Sequence, residues 1–137
     1  MITWNEILGK YKESDIPPEY LENMKELHSK LNIVRKAYNK PMTLTNVFRS
    51  MIHHLKIYAD KGITDKSKIP LKSKHLFGQA GDVADPTGDL MDWCKDNTKL
   101  LEEIGLWCEE ADSTPRVHFQ TVPYGSYKAG KSRFFNP

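Results

Sequence analysis

The order of apolar residues predicts an α+β domain, a small antiparallel sheet packed by helices. Helical stripes with apolar spacings of three and four alternate with short runs rich in β-branched residues, and no internal repeat interrupts them. The chain of 137 residues and 15.8 kDa fits one domain, because domains most often run to ~100–150 residues. Residues 1–40 form its N-terminal helical segment and residues 42–137 its core.

Ser14 and Asp15 before Pro17-Pro18 suggest a helix cap followed by proline in the first turn. Leu21, Met24, Leu27, Leu31 and Val34 then mark one face of a long helix that ends near Asn39-Lys40-Pro41. His28 lies at the edge of that stripe. Residues 42–48 alternate and read as a strand. A second helix spans Met51 to Asp60 and stops at Gly62, followed by a polar loop from Ile63 to Lys74. Five lysines (Lys61, Lys66, Lys68, Lys72 and Lys74) make this region a solvated surface or an attractor of anionic polymers. Small residues from Gly78 to Ala84 suggest a buried strand that something approaches closely. Asp85-Pro86-Thr87-Gly88-Asp89 is a turn with a cap. A third helix carries Leu90, Trp93, Cys94, Leu101 and Ile104. Leu106–Glu110 and Arg116–Val122 read as two joined strands, and the tail brings Tyr124, Tyr127, Phe134 and Phe135.

Composition narrows the function. A net charge of +2 and 28% charged residues describe an ordinary globular chain, with neither disorder nor an overt nucleic-acid signature. No apolar run approaches the ~20 residues of a membrane helix, so no membrane insertion is expected. The first residues lack a signal-peptide layout. Cys94 and Cys108 make neither a disulfide framework nor a metal knuckle. A cytoplasmically made monomer is expected.

The chemistry concentrates in Ser73-Lys74-His75-Leu76-Phe77-Gly78-Gln79-Ala80-Gly81-Asp82, which contains H-x-x-G-x-A-x-D. Imidazole and carboxylate are both zinc ligands. Gly78, Ala80 and Asp82 would share one face of a strand, leaving room for a metal and a substrate backbone. His118 is the late histidine. With Val117 and Phe119 turned to the core, it points the other way, beside Arg116 and Gln120. Two histidines, one aspartate and an open position for water describe a hydrolytic zinc site.

This pattern resembles the zinc D-alanyl-D-alanine carboxypeptidase family, which includes bacterial dipeptidases of vancomycin resistance and phage endolysins and shares its fold with the Hedgehog signalling domain. The resemblance runs from Leu44 to Pro137. Phe48-Arg49-Ser50 is similar to the family's arginine motif. Phe48 to Gly62, Lys68-Ile69-Pro70, Ser73-Lys74-His75-Leu76 and Glu102-Glu103-Ile104-Gly105-Leu106-Trp107 look like the small phage-encoded members. The resemblance implies that His75, Asp82 and His118 bind Zn2+. It implies that Arg49 holds a substrate carboxylate or the scissile carbonyl, and it makes His54 a support for the site. Gln120, beside His118, is a further candidate substrate-binding side chain.

A carboxylate must move the proton from water to the leaving amine. Many members place it three residues before the last histidine, where this chain has Pro115. The candidates are Glu109, Glu110 and Asp112. The phage-like pattern of an apolar strand followed by Glu points to Glu109, whereas simple hairpin parity puts Glu110 on the His118 face. Glu109 ranks first. Arg116 stands where the family usually has Trp, and Gly81 where a larger residue is common.

The expected activity is hydrolysis of bacterial peptidoglycan peptides, by an enzyme released by another phage protein or carried in the virion. The alternative is a zinc-containing binding module without turnover. A nucleic-acid binder finds no supporting motif.

Overall fold

The computed structural model describes residues 1–109, 115–123 and 134–135. Its order is α1 (Trp4–Leu8), α2 (Pro18–Tyr38), β1 (Leu44–Asn46), α3 (Met51–Asp60), β2 (Ala80–Ala84), α4 (Asp89–Asp96), α5 (Thr98–Ile104), β3 (Trp107–Glu109), β4 (Arg116–Gln120) and β5 (Phe134–Phe135). The fold is α+β. The sheet order is β1-β2-β4-β3-β5. The first four of these strands pair antiparallel, whereas β5 runs parallel to β3, so the sheet is mixed at that edge.

The long helix forms for the reason its spacing suggests. Met24, Leu27, Leu31 and Val34 of α2 are fully buried and join Val83, Cys108, Val117 and Phe119 in one core cluster. A side chain at Gly81 would meet Leu27, Leu31 and Val47, which shows how closely α2 crosses the sheet there. Alternation then sends Asp82, His118 and Glu109 to the opposite face.

Several local expectations change. The proposed Ser14–Asp15 cap is a separate 3-10 turn over Glu13–Asp15, and α2 starts behind Pro17 without a side-chain cap. The 42–48 strand shortens to Leu44–Asn46, with a register shift between these two residues. Val47 and Phe48 instead enter the core. Gly78 is not a strand residue. It closes a 3-10 turn over Lys74–Phe77 at φ 71°, a left-handed conformation that suits glycine. The single third helix is two, divided at Asn97. Asp85 does act as a cap: its carboxylate accepts the Leu90 and Met91 amides at 3.0 and 2.9 Å. The last long strand ends at Gln120. The α1 helix was not foreseen, although Thr3 and Glu6 form a reciprocal capping box at its start. Among the described residues no helix is long and apolar enough to cross a membrane. Tyr124, Tyr127, Glu110 and Asp112 lie outside the described residues.

Gly78 should be intolerant of any side chain. A Cβ there would sit 2.6 Å from Met24 Cγ and 2.7 Å from the Tyr20 carbonyl oxygen. Overpacking added to left-handed strain predicts that Gly78→Ala costs about 3 kcal/mol and lowers Tm by roughly 10 °C in thermal unfolding.

Candidate metal centre

The side chains of His75, Asp82 and His118 converge. One ligand atom from each lies within 4.8 Å of the others, and the group could hold a metal ion. They arrive by different routes. Asp82 of β2 lies directly opposite His118 of β4, and Glu109 of β3 lies opposite His118 from the other side. The three side chains thus form a row across the sheet. His75 comes from the 3-10 turn, which Asn23 ties to α2 through a 2.9 Å bond to the Phe77 carbonyl.

Each imidazole is oriented from behind. His75 Nδ1 donates to the Val47 carbonyl at 2.7 Å, so Nε2 faces Asp82 Oδ2 at 3.3 Å. His118 Nε2 lies 3.0 Å from Gln120 Oε1, and Gln120 Nε2 donates to the Val122 carbonyl at 2.8 Å. That second bond fixes which end of the amide faces His118, making Gln120 the acceptor. His118 Nδ1 is thereby turned toward Asp82 Oδ1, 2.9 Å away. Such backing partners set tautomer and aim for a metal ligand. Gln120, expected to touch substrate, is buried and stands behind His118 instead.

The electrostatics suit a cation. Burial works to raise the Asp82 pKa, but hydrogen bonds and charge from His118 and His75 hold it well below the usual carboxylate range. Burial pushes His118 down, yet the hydrogen bond and charge of Asp82 raise it, helped by Gln120 and the charge of Glu109. Two imidazole nitrogens and a carboxylate oxygen, with their supports in place, fit a divalent transition metal.

Arg49 and His54 form the adjoining unit. Arg49 Nη1 donates to His54 Nδ1 at 3.1 Å, while His54 Nε2 donates to the Pro70 carbonyl at 3.0 Å. His54 is fully buried, and its pKa is lowered, first by burial. A neutral ring that donates at Nε2 and accepts at Nδ1 explains both bonds. Arg49 Nε is buried with no hydrogen-bond partner among the described residues. His53 faces elsewhere, toward Lys10 and Tyr11, at 3.2 and 3.0 Å.

Glu109, ranked first among the candidate carboxylates, pairs across from His118; Glu110, favoured by simple hairpin parity, lies outside the described residues. His54, expected to support the site, touches Arg49; the contact of Gln120 with His118 was not read from the sequence, because it turns on the orientation of the amide set by Val122. No protein-family model, curated protein or solved structure matches the chain.

Metal binding and metal-free stability should respond oppositely to pH. With its folded pKa above the ordinary 6.5, His118 contributes stability below 6.5 that is lost as pH rises through the raised value. Metal uptake strengthens over the same interval, because the ligand must release its proton. Thermal melts with and without added divalent metal should therefore diverge as pH rises. Gln120→Leu should lower metal affinity about tenfold to a hundredfold, as read by competition with a chromogenic chelator.

Proposed function

We propose that the chain is a zinc-dependent peptidase acting on the peptide part of bacterial peptidoglycan. The observation that carries this reading is the placement of Glu109 opposite His118, beside a two-histidine, one-aspartate group. That donor set also suits other metals. A neighbouring carboxylate that can move protons favours hydrolysis, and the motif resemblance favours zinc and a cell-wall peptide.

His75, Asp82 and His118 would hold the ion. When bound, zinc supplies Lewis acidity and lowers the pKa of water to roughly 7. Glu109 accepts the proton released by the attacking water and returns it to the departing amine nitrogen. Arg49 presents a permanent positive charge to the scissile carbonyl oxygen or to a substrate carboxylate. His54 keeps that guanidinium aimed, since its accepting nitrogen engages Nη1. The fold this reading entails is that of the zinc carboxypeptidase and Hedgehog group.

Chelation should abolish release of soluble muropeptides from purified peptidoglycan, and added zinc should restore it. Glu109→Gln should retain one equivalent of zinc and lose about 10²–10⁴ in kcat. Metal retention without product in the wild-type protein would turn the reading toward a binding module. Absence of metal would remove the basis of both.

A further inference from the structure

The metal centre is flanked by a second guanidinium. Arg116 opens β4 two residues before His118, on the same face of the sheet, and its strand partner is the small Ala84. Its side chain is 47% exposed, and its Nε lies 3.8 Å from Asp82 Oδ2, beyond hydrogen-bonding distance. Arg49 follows β1, on the other side of β2. Asp82 thus lies on a strand between the two arginine-bearing segments. Arg49 is near enough to feel the charge of Arg116.

Like charges converge this way at cost unless an anion joins them. Asp82 serves only in part, because a cation held by its carboxylate takes up its negative charge. The ion and two guanidiniums then outweigh Asp82 and Glu109. A half-exposed contact as long as that from Arg116 to Asp82 also stabilises little. A planar fork at the mouth of such a site matches a carboxylate in two parallel hydrogen bonds.

We propose that Arg116 is a specificity-determining residue that selects peptides bearing a free carboxylate next to the bond presented to the metal. This rests on the peptidase reading in taking the site to hold a cation and the ligand to be a peptide. Matched peptidoglycan stem peptides serve as the probe, one with its D-glutamate carboxylate free and one with that group amidated. Calorimetry on the zinc-loaded full chain measures binding of each, and product release is followed in parallel.

Wild type should bind the free acid about tenfold more tightly than the amide, as a charge-assisted pair implies. Arg116→Gln should weaken the acid about tenfold more than the amide, and Arg116→Lys should keep an intermediate preference. Zinc content and melting temperature of each variant verify that it is folded. Equal binding of the two peptides by wild type, or a preference that survives in Arg116→Gln, overturns the proposal. Preferential binding without cleavage of either peptide would sink the peptidase reading and uphold the selection. Cleavage of both without preference would do the reverse.

Discussion

The pairing of β2 with β4 decides on which side of the sheet Asp82 and His118 stand. Asp82 faces His118 because Gly81 and Val83 face Phe119 and Val117 across the same ladder. Those residues lie under α2, whose own stripe of Met24, Leu27, Leu31 and Val34 is fully buried. A slip of one residue would drive His118 into the core and bring Val117 out. The hydrophobic core and two of the candidate ligands, Asp82 and His118, are thus fixed by one register. Burying several large aliphatic side chains, each contributing about 1.5–3 kcal/mol, gives that register its strength. The alignment of polar groups on the opposite face follows from it.

His75 is held differently. It belongs to no strand and depends on a tight turn, on a glycine in a left-handed conformation and on the carbonyl of Val47. The carboxylate and the late histidine are therefore placed by sheet geometry, whereas the early histidine is placed by loop chemistry. Pro115 shows a related economy. It occupies the position where the resembled family often has an acid. Its carbonyl accepts the Asp85 amide at 2.8 Å, while the Asp85 carboxylate caps α4. That position anchors a helix, and the neighbouring strand β3 brings a carboxylate, Glu109, opposite His118.

Much of this was legible in sequence wherever burial on one side imposes a period. The α2 stripe and the alternation of Val117, His118 and Phe119 are cases of that kind, and they convey both the core and the direction of the histidine. The turn at Gly78 was misread, because small residues near a buried strand look alike whether they extend or reverse the chain. The helix break at Asn97 falls in the polar run Lys95-Asp96-Asn97-Thr98-Lys99, but Cys94 and Leu101 on either side stand seven residues apart, about two helical turns, so the stripe looks unbroken across it. The support of Arg49 by His54 depends on the distant Pro70 carbonyl; that of His118 by Gln120 is local, but it turns on an amide orientation set by the Val122 carbonyl, which residue spacing does not convey. The α1 capping box was visible in Thr3 and Glu6, but the helix it starts has only five residues, too few to show a stripe.

The segment before α3 has one further property. Val47 accepts from His75 through its carbonyl, and the Arg49 amide donates to the His75 carbonyl at 3.1 Å. A short length of backbone therefore grips the early histidine on two sides while carrying the arginine. Anything that steadies one end of this splint lowers the ordering cost at the other. Were an ion held at the imidazole to raise the guanidinium's affinity for an anion, the anion would by thermodynamic reciprocity raise affinity at the imidazole by the same factor. The backbone of residues 47–49 is the physical link through which the two halves of the site would feel each other.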